Sequence, residues 1–327
     1  MPMEYLLLDT HDPALNLATE ERLFETLDPA GAGLFLLWRN GPSVIVGRHQ
    51  CTAEEIDADF VARENLPVVR RNTGGGAVYH DLGNVNFSFL VPTGASKAMD
   101  FSRYMEPVRL ALQDIGVEAR ITGRNDMEIE GRKISGSAQL VRGGKTLHHG
   151  TLLVDVDLER MAQALAVDPE KIRSKGVASL RARVDTIAAH WPADTTMEML
   201  QDALVARCAD APGRFTREDQ DAAEALAQAK YRQWDWNYGA SPPYTERIQH
   251  RFPWGKVDVR LDVERGTITA CRIFGDFFAL APMGELEERL AGSPRDPEAL
   301  APILETLPWR RWFGEVDPAQ IADLFRT

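Results

Sequence analysis

Pro67-Val-Val-Arg70-Arg71-Asn72-Thr73-Gly74-Gly75-Gly76-Ala77-Val78-Tyr79-His80-Asp81 runs, after two residues, into Asn84-Val85-Asn86-Phe87-Ser88-Phe89-Leu90-Val91. The first four residues read as a short strand that ends in glycines. In the second stretch Val85, Phe87, Phe89 and Val91 alternate with Asn84, Asn86 and Ser88, the period of a half-buried strand. A strand thus meets glycines and then another strand. Strands and helices mix elsewhere too, without the regular βαβ alternation of a doubly wound sheet, so the pattern predicts an α+β fold.

Glycines in this place let backbone amides approach a ligand, and successive N–H groups in such a turn form an anion-binding concavity. Arg70 and Arg71 add fork-shaped donors suited to phosphate. A tight hairpin with surface arginines fits the same residues. Gly131-Arg132-Lys133-Ile134-Ser135-Gly136-Ser137 carries the second signal. On a regular strand Lys133, Ser135 and Ser137 share one face. An inward ammonium needs a counter-charge, which a phosphate or carboxylate ligand would bring. An edge strand with a solvated lysine is the alternative.

Around these segments, Asp12-Pro13 predicts a capped helix to Thr26. Residues 52–64 read as helical, and Phe101 to Ile115 repeats at helical spacing. Glu130-Gly131 and Gly143-Gly144 punctuate a strand-rich stretch as turns. Helices are expected near 157–166, 196–207 and 217–231, with Thr195 and Glu198 as a capping box before the second. The Gly- and Pro-bearing run from Gly239 to Pro243 reads as a boundary. Beyond it, strands at Ile248–Phe252, Val257–Val263 and Ile268–Ile273, with a turn at Arg265-Gly266 and closing helices, predict a small α+β domain. The expected division is 1–242 and 243–327.

With 327 residues, about two domains are expected. The net charge of −12 argues against broad nucleic-acid or anionic-membrane binding. Cys51, Cys208 and Cys271 make no CxxC pair, which points to a reducing cytoplasm rather than a disulfide framework. No signal peptide or membrane span is read from the N-terminus or elsewhere. His148 and His149 are adjacent and point oppositely on a strand, so they do not suit one metal ion. Gly144-Lys145-Thr146 lacks the first glycine of a P-loop, and no GxSxG elbow is present.

Arg70 to Asp81 resembles the signature of the lipoate-protein ligase A family, within the biotin and lipoate protein ligase superfamily. So do Gly47–Gln50, Gly83–Phe87, Gly123–Asp126, Gly131–Ala138 and His148–Leu153. Lys175–Val177, Ser179–Arg183 and Trp234–Tyr238 continue the match in order. The resemblance implies a catalytic domain with a mixed or antiparallel sheet and flanking helices, plus a small C-terminal accessory domain. It implies ATP-dependent conversion of lipoate to lipoyl-AMP, then transfer to a lysine of lipoyl-carrier domains, in 2-oxoacid dehydrogenase E2 subunits or the glycine-cleavage H protein. Lys133 is the implied catalytic residue. Arg70, Arg71, Thr73, Gly74, Gly75, Gly76, Ala77, Val78, Tyr79, Asn125, Lys133, Ser135 and Gly136 are assigned to ATP and lipoyl-AMP. Lys133, His149, Gly150 and Thr151 are assigned to lipoate, and Asp126 to Mg²⁺. A monomer is expected. The competing readings are an octanoyl or lipoyl transferase, which would use a cysteine thioester, and a non-catalytic module that binds lipoyl-AMP or biotin. The stretch from Ile121 to Glu130, where one transferase group carries its cysteine, has none.

Overall fold

The computed structural model describes residues 2–93, 99–165, 183–239 and 244–325. Contacts divide the chain into two units. The first comprises Met1–Val46, Thr52–Asn72 and Ala77–Tyr238, and the second Gly47–Cys51, Thr73–Gly76 and Gly239–Thr327.

In the first unit the strands are β1 (Met3–Leu7), β2 (Gly33–Trp38), β3 (Ser43–Val46), β4 (Val68–Arg70), β5 (Val78–His80), β6 (Asn84–Pro92), β7 (Arg120–Thr122), β8 (Asp126–Ile129), β9 (Arg132–Arg142), β10 (Lys145–Leu153) and β11 (Ala211–Pro212). An eight-stranded mixed sheet runs β11-β1-β2-β6-β10-β9-β8-β7, and a smaller one runs β4-β3-β5. Among the described strands of the large sheet, β1 pairs in parallel with β11 and β2, and the other strand pairs are antiparallel. The two expected turns join β8 to β9 and β9 to β10. Glu130 and Gly131 have φ of 51° and 77°, and Gly143 and Gly144 have 59° and 73°. Positive φ at both central residues matches the twist of a tight hairpin.

The helix Pro13–Thr26 starts as expected, with the Asp12 carboxylate accepting from Ala14 and Leu15 amides. Residues 52–64 instead form two helices, Thr52–Glu55 and Ala58–Arg63, because Asp57 leaves helical geometry to cap the second. The cap of Met197–Cys208 is Thr196, one residue later than expected.

β6 corrects a larger expectation. Residues 84–91 are all buried, so its alternation separates two covered faces rather than core from solvent. Phe89 packs on Tyr104 of the helix Ser102–Asp114 on one side. On the other side Leu90 joins Leu17, Phe24, Leu36 and Leu147 beneath the helix Pro13–Thr26. The polar residues of β6 lie on this second face and bond within the protein: Asn84 to Asn86, and Asn86 to the Trp38 carbonyl.

The second unit contains β12 (Glu246–Phe252), β13 (Gly255–Glu264) and β14 (Thr267–Gly275), an antiparallel sheet turning at Arg265-Gly266 as expected. Its core joins Val259, Leu261 and Ile268 to Leu286, Leu300 and Trp312 from the closing helices.

Gly83 is a packing glycine. A Cβ there would stand 2.0 Å from the Asp155 carbonyl oxygen. Gly83→Ala is expected to destabilise the fold by about 1–3 kcal/mol or more, read as a lowered midpoint in urea. His148 gives a pH prediction. It stacks on Tyr104, with neither ring nitrogen hydrogen-bonded among the described residues. Burial, with His149 nearby, pushes its pKa down to about 3. The unfolded chain takes up this proton near pH 6.5. Below that pH it binds protons that the folded chain refuses, so stability falls with pH over the window from about 6.5 down to about 3. His148→Leu should lose less thermal stability than the parent between pH 7 and pH 4.5. Equal losses would contradict this account.

Candidate functional site

β9 is irregular at the position that matters. Glu128 of β8 faces Lys133, and Met127 faces Ser135, so Ile134 is the extra residue of a bulge. Lys133 therefore changes sides. Its Nζ lies 2.9 Å from where a Gly136 Cβ would be, and 2.8 Å from Asp126 Oδ1. Ser137 Oγ lies 2.8 Å from where a Gly150 Cβ would be, beside the Phe87 ring on the opposite face. Pairing with β10 is regular through 135–137, so Ser135 shares the side of Ser137. The expected grouping of Lys133, Ser135 and Ser137 on one face is corrected: the bulge parts the lysine from both serines.

The register then shows what does share the lysine's face. Trp38, Asn86, Thr151, Gly136 and Asp126 form one row across β2, β6, β10, β9 and β8. Ser88, His149 and Ala138 form the row beside it. His149 and Thr151 thus join Lys133, whereas the space left by Gly150 is filled by Phe87, 2.4 Å from a built Cβ.

Beneath this face lies a buried polar chain. The Trp38 indole donates to Ser88 Oγ at 3.0 Å, Ser88 donates to Glu20 Oε1 at 2.6 Å, and His149 Nδ1 meets both Glu20 oxygens at 2.9 and 3.0 Å. Arg71 is buried nearby and donates to the Ile45 carbonyl; burial lowers its pKa to about 10, against the pull of Glu20. His80, bonded to Asn40, is pushed down to about 3 by burial, Arg71 and His149. Glu20 and His80 escaped the sequence reading. The signal for Glu20 was its place between Leu17 and Phe24, at the spacing of the helix's buried stripe.

The two arginines have different surroundings. Arg70 Nε donates to the Trp236 carbonyl at 2.9 Å, and its Nη2 reaches Thr52 Oγ1 at 2.7 Å and the Asn237 carbonyl at 3.1 Å. Trp236 returns a bond to the Arg70 carbonyl at 2.8 Å. Arg70 thus ties β4 to the helix Trp234–Asn237. Asn125 likewise holds backbone, donating to the Ser137 carbonyl at 2.7 Å. Asn72 accepts from Lys230 Nζ and donates to the Tyr231 hydroxyl, at 2.8 and 2.7 Å. Val78 and Tyr79 lie in β5, just after Ala77.

The glycine loop, Thr73–Gly76, belongs to the second unit. A Cβ at Gly74 would stand 2.2 Å from the Phe277 carbonyl oxygen, so protein backbone accounts for this glycine. Gly75 has φ of 91°, and a Cβ at Gly76 meets no described atom within 4 Å. In the same unit the His49 ring stacks on Phe277, and the Gly275 amide donates to the His49 carbonyl at 2.7 Å. Lys175–Ser179 and Arg181 lie outside the described residues. All three cysteines are buried, and burial raises the thiol pKa of Cys208 and takes that of Cys271 up to about 12. Among the described residues no three His, Cys, Asp or Glu side chains gather as a metal cage, and no helix is long and apolar enough to cross a membrane.

Comparison with known proteins adds independent findings. Residues 12–209 match the lipoyl protein ligase A/B catalytic domain, and residues 241–325 match the bacterial lipoate protein ligase C-terminus. The chain is 38% identical over 321 residues to lipoate-protein ligase LplJ of Bacillus subtilis, covering 96% of this chain and 97% of that protein. It is also 38% identical to lipoate–protein ligase 1 of Staphylococcus aureus, covering 96% of each. A solved lipoate-protein ligase A bound with ATP superposes with a TM-score of 0.62 at 29% identity, over 73% of this chain and 99% of that one. The bipartite ligase of Thermoplasma acidophilum, from a study of that archaeon's ligase and its E2 lipoyl domain, gives a TM-score of 0.66 at 30% identity, over 75% and 100% of the two chains.

Proposed function

The chain belongs to the lipoyl protein ligase A/B family, and from that premise we propose that its ligase reaction runs through Lys133 on the polar face of the large sheet. It is an ATP-dependent lipoate-protein ligase, with ATP and lipoate as substrates. In the first step a lipoate carboxylate oxygen attacks the α-phosphorus and pyrophosphate leaves, giving lipoyl-AMP. In the second a carrier lysine amine attacks the acyl carbon and AMP leaves.

The first step brings two anions together, so fixed positive charge is needed where charge develops. The observation that carries the reading is Lys133 Nζ beside the Asp126 carboxylate, on the face that also presents Thr151 and His149. The pair is part-exposed, with side chains 40% and 33% accessible, so incoming anions can exchange with Asp126 at small cost. Gly136 leaves the space the ammonium occupies. His149 Nδ1 is held by Glu20 on the face that carries Lys133 and Thr151. His149, Thr151 and Gly150 are assigned to lipoate by their place in the His148–Leu153 motif; His149 and Thr151 share the lysine's face, while the Gly150 position faces Phe87.

Arg71, Thr73, the three glycines, Ala77, Val78, Tyr79, Asn125, Ser135 and Gly136 are assigned to the adenylate by their place in the motifs, and Arg70 through the β4 backbone it fixes. Mg²⁺ bound to the triphosphate would neutralise phosphate charge. Asp126 is the acid at hand beside Lys133, and one carboxylate plus phosphates is an ordinary Mg²⁺ set. The acceptors are assigned as lipoyl-carrier domains of 2-oxoacid dehydrogenase complexes and the glycine-cleavage H protein. The chain is taken to act as a cytoplasmic monomer, with 243–327 as the accessory domain.

Lys133→Ala should abolish lipoate-dependent ATP–pyrophosphate exchange while the thermal melt stays close to the parent. Exchange near the parental rate would remove Lys133 from the mechanism. Changing Cys51, Cys208 and Cys271 together to serine should leave a folded enzyme that lipoylates a carrier domain with ATP. A folded but inactive triple variant, with a thioester trapped on the parent, would favour the transferase.

A further inference from the structure

β10 pairs with β9 as far as Leu152 opposite Ser135. Beyond that, the place beside β9 is taken by residues 183–185. Lys133 N–H donates to the Arg183 carbonyl at 2.8 Å, and Asp185 N–H donates to the Lys133 carbonyl at 2.9 Å, closing a parallel bridge around Val184. On the other flank lies the irregular pairing at Ile134. Both peptide groups of Lys133 are therefore bonded to a segment that, among the described residues, meets β9 at the Val184 bridge.

The segment is held by the Asp185 side chain. Its Oδ2 accepts from Arg132 Nη2 and from His190 Nε2, each at 2.6 Å, and its Oδ1 accepts from the Thr186 amide at 2.9 Å. Asp185 is 7% exposed. Burial raises its carboxyl pKa, but the bonds from His190 and the Thr186 amide and the Arg132 guanidinium outweigh that, so the pKa is lowered. Arg132 immediately precedes Lys133, so one residue of β9 is gripped by its backbone and its neighbour by its side chain. The turn Ile187–Ala189 presents His190, and it is itself fixed by buried Ile187 and by the Ala188 amide on the Val154 carbonyl at 2.8 Å.

We infer that Asp185 is a positioning residue for the reaction: with Arg132 and His190 it clamps residues 183–185 against β9 and so fixes the point from which the Lys133 side chain extends. This rests on the reading of Lys133 as the adenylating lysine. A bulged strand does not define that point alone, since the bulge leaves a residue out of the ladder. A misplacement of about 1 Å can cost on the order of a hundredfold in rate without weakening substrate binding to match.

The test is Asp185→Asn, which keeps the shape and removes the charge on which Arg132 and His190 converge. Two measurements are made on the full-length enzyme: ATP–pyrophosphate exchange with lipoate, and hydrogen exchange at the Lys133 and Asp185 amides. The expected result is a fall in kcat of about tenfold or more, KM for ATP and lipoate within about twofold, and faster exchange at both amides. Unchanged kcat, a loss confined to KM, or unchanged amide exchange would each overturn the clamp. If Asp185→Asn fails to fold, Arg132→Gln removes one donor and should lower kcat about threefold with the same pattern; no change in that variant rejects the proposal. Should Lys133→Ala prove active, the reading of Lys133 fails, while the amide exchange still reports whether Asp185 fixes the strand.

Discussion

An ammonium standing over a glycine, 2.8 Å from one carboxylate, sets the terms for the rest of this face. A lone lysine turned toward a covered sheet is unfavourable unless its charge is met. Asp126 meets it from the neighbouring strand, and the missing side chain of Gly136 leaves the room. The pair is weak because it is half in water, which suits a group whose partners must be replaced by substrate. Strength is found instead in what surrounds it: backbone bonds, a bulge and buried polar links.

Those links explain how a sheet can hide a polar surface. Ser88, Glu20, His149 and the Trp38 indole pass hydrogen bonds along in one chain. Asn40 joins Asn16 to His80 in another. Buried polar groups are tolerated when they are paired, and a paired network fixes rotamers as well as energies. Arg71 is drawn from its ordinary value by burial, with Glu20 opposing.

Much of this was legible in the sequence, at the range where local rules hold. The turns at Glu130-Gly131, Gly143-Gly144 and Arg265-Gly266, and the start of the helix at Asp12-Pro13, were set by neighbours a few residues away. The ordered motifs pointed to the family. What escaped was set at distance. Strict alternation placed Lys133 with Ser135 and Ser137, because a bulge at Ile134 has no signature in a one-dimensional pattern. The polar stripe of β6 read as solvent-facing, because the helix that covers it, Pro13–Thr26, lies far earlier in the chain. Arg70 and Arg71 read as equals, because Trp236 and Asn237, which claim the first, come from far along the chain. Gly74 read as space for a ligand, and its neighbour is the Phe277 backbone.

That last contact has a consequence for how the protein is made. Gly74 leaves the ribosome about two hundred residues before Phe277, which at roughly 5–20 residues per second is a wait of about 10–40 seconds. The unit that contains both is discontinuous, assembled from Gly47–Cys51, Thr73–Gly76 and the end of the chain. During synthesis β2, β6, β9 and β10 have their pairing partners well before Phe277 is made, while these two loops have theirs still to come. The glycine loop is therefore among the last parts of the nascent protein to take its final form, and a chain interrupted late in translation carries a nearly finished sheet with an unfinished loop.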